Sequence, residues 1–274
     1  MNLEPIREIT QDEVAQYLAD GIILLKGLFD NDWIDHLIKS VANDIANPGP
    51  MHRQLEDDGD SGSFFYDTFM WTYNDDFRRF VFESPAARVV AQLMNSRKVN
   101  IYYDQLLIKE PDTSKITPWH HDMPYLPIRG DQFCTMWLAL DRVTDENGAV
   151  EYIRGSHKWG KVFNPMSFKE GRDYEHGLES IPDIDAKRED FDIVQYDLEP
   201  GDCTVHHALL VHAAPGNKRS ERRRRGYITR WAGDDVTYFP AEEGKKLQNL
   251  IFDPGISPGA PLDSKLWPVV WQQS

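Results

Sequence analysis

From residue 98 onward the chain is cut into short β-favouring runs, each closed by turn chemistry, and that alternation leaves few folds open. Residues 99–109 carry Ile101, Tyr103 and Leu107; further runs occupy 133–140, 149–153, 192–196, 203–211 and 225–231. Asp145-Glu146-Asn147-Gly148 and Gly155-Ser156-His157-Lys158 punctuate them as turns. Many short strands after a helical N-terminal section predict a sandwich or jelly roll, mainly β with outer helices, rather than a parallel α/β sheet.

The first 97 residues read differently. Residues 11–19 place apolar groups at helical spacing, Asp20-Gly21 breaks the helix, and residues 22–25 form a short buried-strand pattern. Asn31 or Asp32 is the expected cap of a second helix with Trp33, Ile34, Leu37 and Ile38 as its apolar stripe. Residues 47–62 read as loop and 84–93 as helix. Between them lies an aromatic cluster, Phe64, Phe65, Tyr66, Phe69, Met70, Trp71 and Tyr73, which serves either a core or an apolar pocket. Residues 161–192 are polar and acidic and read as a lid-like excursion. No repeat or linker divides the chain, so one domain is expected over 1–274: an N-terminal section 1–97 packed on a core 98–235, then a tail 236–274.

Charge narrows the partners. Lys plus Arg total 30 against 45 Asp plus Glu, and the net −15 repels polyanions, so nucleic acid and anionic membranes are poor partners and a small molecule is expected. The longest apolar stretches, 21–25 and 89–94, are far short of a membrane span. The N-terminus shows no basic region followed by an apolar core, so no signal peptide is expected. Cys134 and Cys203, both in strand-like surroundings, are expected as buried free thiols, in keeping with a cytoplasmic setting.

Residues 118–125, Pro-Trp-His-His-Asp-Met-Pro-Tyr, concentrate the chemistry. On an extended strand, His120 and Asp122 share a face and His121 points away. Imidazole plus carboxylate is two thirds of the set that holds non-haem iron(II); the bland alternative is a polar turn. A third ligand has to come from a distant strand. The run opened by Gly201-Asp202 offers His206, His207 and His212, and spacing does not choose among them, although His206 and His212 share parity on an unbroken strand. Lys218, Arg219 and residues 222–225 form a basic run, usually a solvated edge. One arginine entering a strand there would suit a dicarboxylate.

The order of the motifs resembles the phytanoyl-CoA dioxygenase-like (PhyH-type) family of iron(II)/2-oxoglutarate oxygenases. The matching pieces are Gln105-Leu-Leu-Ile-Lys-Glu-Pro, Trp119-His120-His121-Asp122-Met-Pro-Tyr125, Trp137-Leu-Ala-Leu-Asp141 and Glu146-Asn-Gly148. They continue with Ile153-Arg-Gly-Ser-His-Lys158, Gly201-Asp202 and His212-Ala-Ala-Pro-Gly-Asn217 followed by arginine. The resemblance implies a double-stranded β-helix (jelly roll, cupin-like) core. It implies His120, Asp122 and His212 as iron ligands and catalytic centre, and Arg224 as the partner of the distal 2-oxoglutarate carboxylate. Counting from His212 would give Arg223 instead. Trp137 and Gln105 fall at cosubstrate-contacting positions; Ala214 replaces a small hydroxyl residue, with Thr135 as a substitute.

The activity implied is hydroxylation of a small, partly apolar metabolite at an unactivated C–H with O2, releasing succinate and CO2. Asp122 keeps the carboxylate that related halogenases lack. Substrate-lining residues are expected at Phe65, Phe69, Trp71 and Tyr125. The alternatives are desaturation, cyclisation or epimerisation at the same site, a metal hydrolase, and a metal-binding jelly roll that senses rather than catalyses.

Overall fold

The computed structural model describes residues 1–56, 59–167, 177–218, 221–240 and 252–273. Parts of the 161–192 excursion and the 236–274 tail, and Arg219 of the basic run, lie outside the described residues. Four helices are described: α1 (Gln11–Asp20), α2 (Asn31–Ala46), α3 (Asp75–Glu83) and α4 (Ala86–Met94). The strands, in chain order, are β1 (Ile22–Leu25), β2 (Arg53–Leu55), β3 (Phe64–Thr68), β4 (Lys98–Lys109), β5 (Thr117–His120), β6 (Ile128–Arg129) and β7 (Phe133–Ala139). They continue with β8 (Glu151–Ile153), β9 (Ile193–Gln195), β10 (Cys203–His207), β11 (His212–Ala214), β12 (Arg224–Ala232), β13 (Thr237–Tyr238) and β14 (Val269–Gln272).

Local chemistry sets the first elements. Thr10 caps α1 through a capping box: its hydroxyl accepts the Glu13 N–H at 3.1 Å and the Glu13 carboxylate accepts the Thr10 N–H at 2.8 Å. Gly21, at φ 74°, ends the helix in the left-handed conformation. Its missing side chain also matters, because a Cβ there would lie 2.3 Å from the His157 ring. α2 starts one residue earlier than expected: Asp30 is its cap, and its carboxylate accepts the Trp33 N–H at 3.0 Å.

Two antiparallel sheets face each other. The larger runs β1-β10-β7-β12-β4-β3-β2, with β14 also on β4; the smaller runs β5-β11-β8-β9. This is a jelly-roll core with outer helices. The N-terminal section is more than an outer layer, because β1 and β3 belong to the main sheet, and β2 forms inside the stretch expected as loop.

Strand alternation divides the main sheet's side chains. One face carries Tyr227, Leu106, Leu138, Met136, Val205 and Phe65, which pack with Trp33, Leu37, Phe77, Phe80 and Val90 from the helices. Full burial of side chains this size contributes roughly 1.5–3 kcal/mol each. Register places the opposite, inner face. Ile228 stands beside Trp137, and Trp137 beside Thr204; Arg230 stands beside Thr135, and Thr135 beside His206. On the other side of β12, Arg224 stands beside Lys109, Ile228 beside Gln105 and Arg230 beside Tyr103. That inner face meets the smaller sheet, where the Tyr152 and Thr204 hydroxyls lie 2.8 Å apart across the gap.

The run 203–211 is not one strand. β10 ends at His207, and the chain crosses to β11 in the facing sheet. His206 and His212 therefore come together from opposite sheets, not through shared parity. Cys134 and Cys203 are free and buried. No helix among the described residues is long and apolar enough to cross a membrane.

A candidate metal centre between the sheets

β5 and β11 pair antiparallel with His120 and His212 as direct register partners, their ring centroids 4.2 Å apart. Each imidazole is fixed by a carbonyl two residues back along the chain: His120 Nδ1 lies 2.8 Å from the Pro118 carbonyl, and His212 Nδ1 lies 2.9 Å from the Leu210 carbonyl. A carbonyl only accepts, so Nδ1 carries the proton in both and Nε2 keeps its lone pair. Burial pushes the His120 pKa down to about 4 and His212 well below the usual range, so both are neutral and ligand-competent near neutral pH.

Asp122 reaches the same point by another route than the one expected. β5 ends at His120, and Asp122 adopts a helical conformation (φ −72°, ψ −34°) at the start of a short 3-10 turn. Its Oδ1 lies 3.8 Å from His120 Nε2. One ligand atom from each of His120, Asp122 and His212 lies within 4.8 Å of the others, and all three residues are buried. Burial alone would raise the Asp122 pKa. The Arg230 guanidinium outweighs it and holds the carboxyl well below the usual range.

A polar frame surrounds that carboxylate. Thr135 donates its hydroxyl to Asp122 Oδ2 at 2.7 Å. Arg230 approaches both oxygens at 3.4 Å, donates to the Gln105 amide oxygen at 2.9 Å and stacks 4.6 Å over the Tyr103 ring. Tyr103 in turn stacks on Phe69 at 5.1 Å. Tyr125 sets its ring against His120 at 6.0 Å, and its hydroxyl donates to the Met166 carbonyl at 2.7 Å.

Further along the inner face, Arg224 is 1% exposed, and its guanidinium lies 5.4 Å from the Trp137 ring centre. Neither Arg224 Nε nor Trp137 Nε1 has a partner, and no carboxylate among the described residues pairs with Arg224. Burial pushes its pKa down to about 10. Gly226 makes room for the indole: a Cβ there would stand 2.2 Å from Trp137. Lys109, also fully buried, donates to the Ala214 and Pro215 carbonyls at 3.1 and 2.5 Å. A small cavity lined by Trp137, Tyr152, Thr204, Val150 and Leu198 lies on the same side.

The phytanoyl-CoA dioxygenase (PhyH) family profile matches residues 17–226 of this chain. The chain belongs to the phytanoyl-CoA dioxygenase family. A probable phytanoyl-CoA dioxygenase of Caenorhabditis elegans is 30% identical over 171 residues, covering 59% of this chain and 52% of that protein. The chain thus spans about half the length of the curated relatives it matches. Among solved structures, the epimerase SnoN in complex with Fe3+, alpha ketoglutarate and nogalamycin RO superimposes with TM-score 0.74 at 22% identity, over 95% of this chain and 98% of SnoN. The alpha-ketoglutarate-dependent carbocyclase SnoK superimposes with TM-score 0.75 at 20% identity, over 98% and 99%. At these identities the superpositions establish the jelly-roll fold and no more.

Within this PhyH-family fold, the residues singled out from sequence separate into groups. His120, Asp122 and His212 converge, and Trp137 lies against Arg224. Arg223 is turned outward, half-exposed, and bonds Glu110 at 3.0 Å; Arg225 forks onto Asp141 at 2.9 and 2.7 Å. Strand alternation thus turns Arg224 alone of the three inward. Gln105 and Thr135 sit on the inner face but touch Arg230 and Asp122, not Arg224. Phe69 and Tyr125 lie near the centre. Phe65 and Trp71 do not: both belong to the core on the helix-covered face, because β3 alternation points Phe65 away and the turn after Phe69 carries Trp71 beneath the sheet. His121 is also apart, its Nε2 accepting the Phe163 N–H at 3.0 Å. His207 is turned to the Asp131 carbonyl at 2.8 Å.

Sequence reasoning missed Arg230, although it stands an even number of residues from Arg224 on one strand and so shares its face. It also missed Lys109, whose burial depends on two backbone carbonyls far along the chain. A surface cavity of about 410 Å³ lined by Met123, Leu126, Ile128, Leu209 and Phe239 adjoins this region, and none of the three converging residues lines it.

Proposed function

We propose that this chain is a non-haem iron(II)- and 2-oxoglutarate-dependent dioxygenase that hydroxylates a small, partly apolar metabolite. The observation that carries this reading is one interior holding both a His-Asp-His set and a buried guanidinium without a counter-charge among the described residues. The donor set fits iron(II): two neutral imidazoles and one ionised carboxylate. The unpaired Arg224 fits an anionic ligand, because a buried charge without a partner is costly. A metal sensor or a metal hydrolase needs the first feature and not the second.

His120, Asp122 and His212 would hold the metal, each imidazole held in its tautomer by a backbone carbonyl. Thr135 and Arg230 steady Asp122 and keep it ionised, and Gln105 steadies Arg230. Arg224 would grip the distal carboxylate of 2-oxoglutarate through its fork, with Trp137 alongside and Lys109 adding positive charge to that end. Bound there, iron and 2-oxoglutarate supply the oxidation, using O2 to hydroxylate an unactivated C–H bond with release of succinate and CO2. The facing sheets keep bulk water from the centre, which strengthens every charge interaction inside it. The Phe69–Tyr103 stack beside Arg230 offers substrate an apolar wall with a polar edge. A net charge of −15 disfavours polyanionic partners, and the free buried thiols suit a reducing, cytoplasmic setting.

Asp122 retains a carboxylate, which favours hydroxylation over halogenation. Desaturation, cyclisation or epimerisation is the second reading, because an epimerase and a carbocyclase use this fold; analysis of the product separates these outcomes.

The test is an anaerobic titration of metal-free protein with iron(II), then 2-oxoglutarate, following the visible charge-transfer band of the chelate. The expected result is a band in wild type, lost in His120→Ala and weakened in Arg224→Ala, with succinate release on adding substrate and O2. Bound metal without a band on adding 2-oxoglutarate would overturn the dioxygenase reading in favour of the sensor or hydrolase.

A further inference from the structure

A fourth imidazole faces this centre. His206, on β10, is 2% exposed and points from the main sheet toward the smaller one, its ring centroid 4.4 Å from that of His212. Neither of its ring nitrogens has a hydrogen-bond partner. Burying a polar group in that state is costly, so an unpartnered imidazole aimed at a metal site calls for a role there. The carboxylate it approaches is that of Asp122, with Oδ2 3.6 Å from Nε2, just beyond hydrogen-bond range.

The two oxygens of Asp122 are not equivalent. Oδ1 faces His120 Nε2 at 3.8 Å, while Oδ2 takes the Thr135 hydroxyl at 2.7 Å and lies nearest His206. His206 is not among the residues whose ligand atoms lie within 4.8 Å of one another, so its place is outside the ligand set. We propose that His206 is a positioning residue: its Nε2–H, 3.6 Å from Asp122 Oδ2, is the second donor that would close on that oxygen and orient the carboxylate as a metal ligand. Thr135 and His206 would then hold Oδ2 from neighbouring strands and leave Oδ1 facing His120. The inference rests on the metal reading above.

The test uses the full chain and Co(II) as a spectroscopic probe, with affinity and the visible ligand-field spectrum as readouts, so that no turnover is required. His206→Phe removes the donor and is expected to weaken Co(II) binding about 10- to 100-fold, as loss of a group hydrogen-bonded to a ligand typically does, and to alter the spectrum. His206→Gln, which keeps an N–H donor, is expected to recover most of both. If Phe fails to pack, as judged by melting temperature, His206→Leu replaces it with the same expected loss. Wild-type affinity and spectrum in the donor-less variant would overturn the proposal. So would X-ray absorption of wild type showing three imidazoles on the ion, which would make His206 a ligand. Wild type that binds no Co(II) would instead overturn the metal reading itself.

Discussion

His120 and His212 are direct register partners across the β5–β11 pair, with ring centroids 4.2 Å apart and each Nδ1 bonded to a carbonyl two residues back on its own chain segment. Backbone pairing, not side-chain flexibility, therefore sets the distance between two of the three prospective ligands. Asp122 completes the set from a turn. His120→Ala, Asp122→Ala and His212→Ala are each expected to abolish turnover and stoichiometric iron(II) binding while the fold survives, checked by metal titration beside circular dichroism. Full turnover in Asp122→Ala would sink the ligand assignment.

Arg224 and Arg223 are neighbours with opposite surroundings, one fully buried against Trp137 and one bonded to Glu110 at the surface. Arg224→Ala is expected to raise the KM for 2-oxoglutarate roughly 100-fold, the equivalent of about 3 kcal/mol for a lost buried charge pair. Arg223→Ala, which removes an exposed ion pair, is expected to change it by less than about threefold. Succinate release against 2-oxoglutarate concentration measures both, and equal effects would reopen the choice between them.

Gly226 is the point where β12 lets the Trp137 indole lie against the strand. Gly226→Ala forces that ring aside, and overpacking of this kind costs about 1–3 kcal/mol. Because Trp137 adjoins Arg224, weaker 2-oxoglutarate binding is expected along with the lower melting temperature. A variant with unchanged affinity would place the indole outside the cosubstrate site.

The aromatic segment divides by face, and substitutions separate the two roles. Phe65→Ala, in the helix-side core, is expected to cost about 3–5 kcal/mol of stability with little specific effect on substrate KM. Phe69→Ala loosens the stack on Tyr103 beside Arg230 and is expected to raise substrate KM with a smaller loss of stability. Denaturant unfolding and steady-state kinetics on both variants decide it.

Asp44, on α2, is 1% exposed with Oδ2 unpartnered, and burial, assisted by nearby Asp67, pushes its pKa up to about 7. The unfolded value is about 3.9, so between those values the native state keeps a proton that the unfolded chain has released. Its stabilising contribution is complete below about pH 4 and is lost as pH rises to about 7. Asp44→Asn removes that dependence and is expected to gain stability on wild type across this window, by about 1–2 kcal/mol at pH 8 after allowing for partial solvent screening. Denaturant midpoints at pH 5 and pH 8 test it, and an equal difference at both would rule the mechanism out.

The sequence by itself determined a good deal. Turn-punctuated β runs called for a two-sheet fold because each short strand has one face to bury, and the His120–Asp122 pair with the Gly201-Asp202 and His212 motifs pointed to a metal site. The basic run carried the arginine that alternation would turn inward. What local pattern could not carry was the destination of each face. Phe65 and Phe69 are alike in composition and neighbourhood, yet one supports helices and the other adjoins the centre. The difference arises because β3 ends at Thr68 and Phe69 adopts a left-handed conformation (φ 60°), so strand alternation no longer sets where its ring goes.

Residues 203–211 read as one strand because nothing in apolar run length marks a crossing between sheets. Only the closed double sheet showed that His206 and His212 belong to opposite walls. Tertiary structure also decided which charges lost their solvent. Arg224, Lys109 and Arg230 look like ordinary basic residues in sequence, and they become a buried array only when β4 and β12 pair with their inner faces against the smaller sheet. The physical reason is that periodicity is local, whereas desolvation is a property of the whole assembled interior.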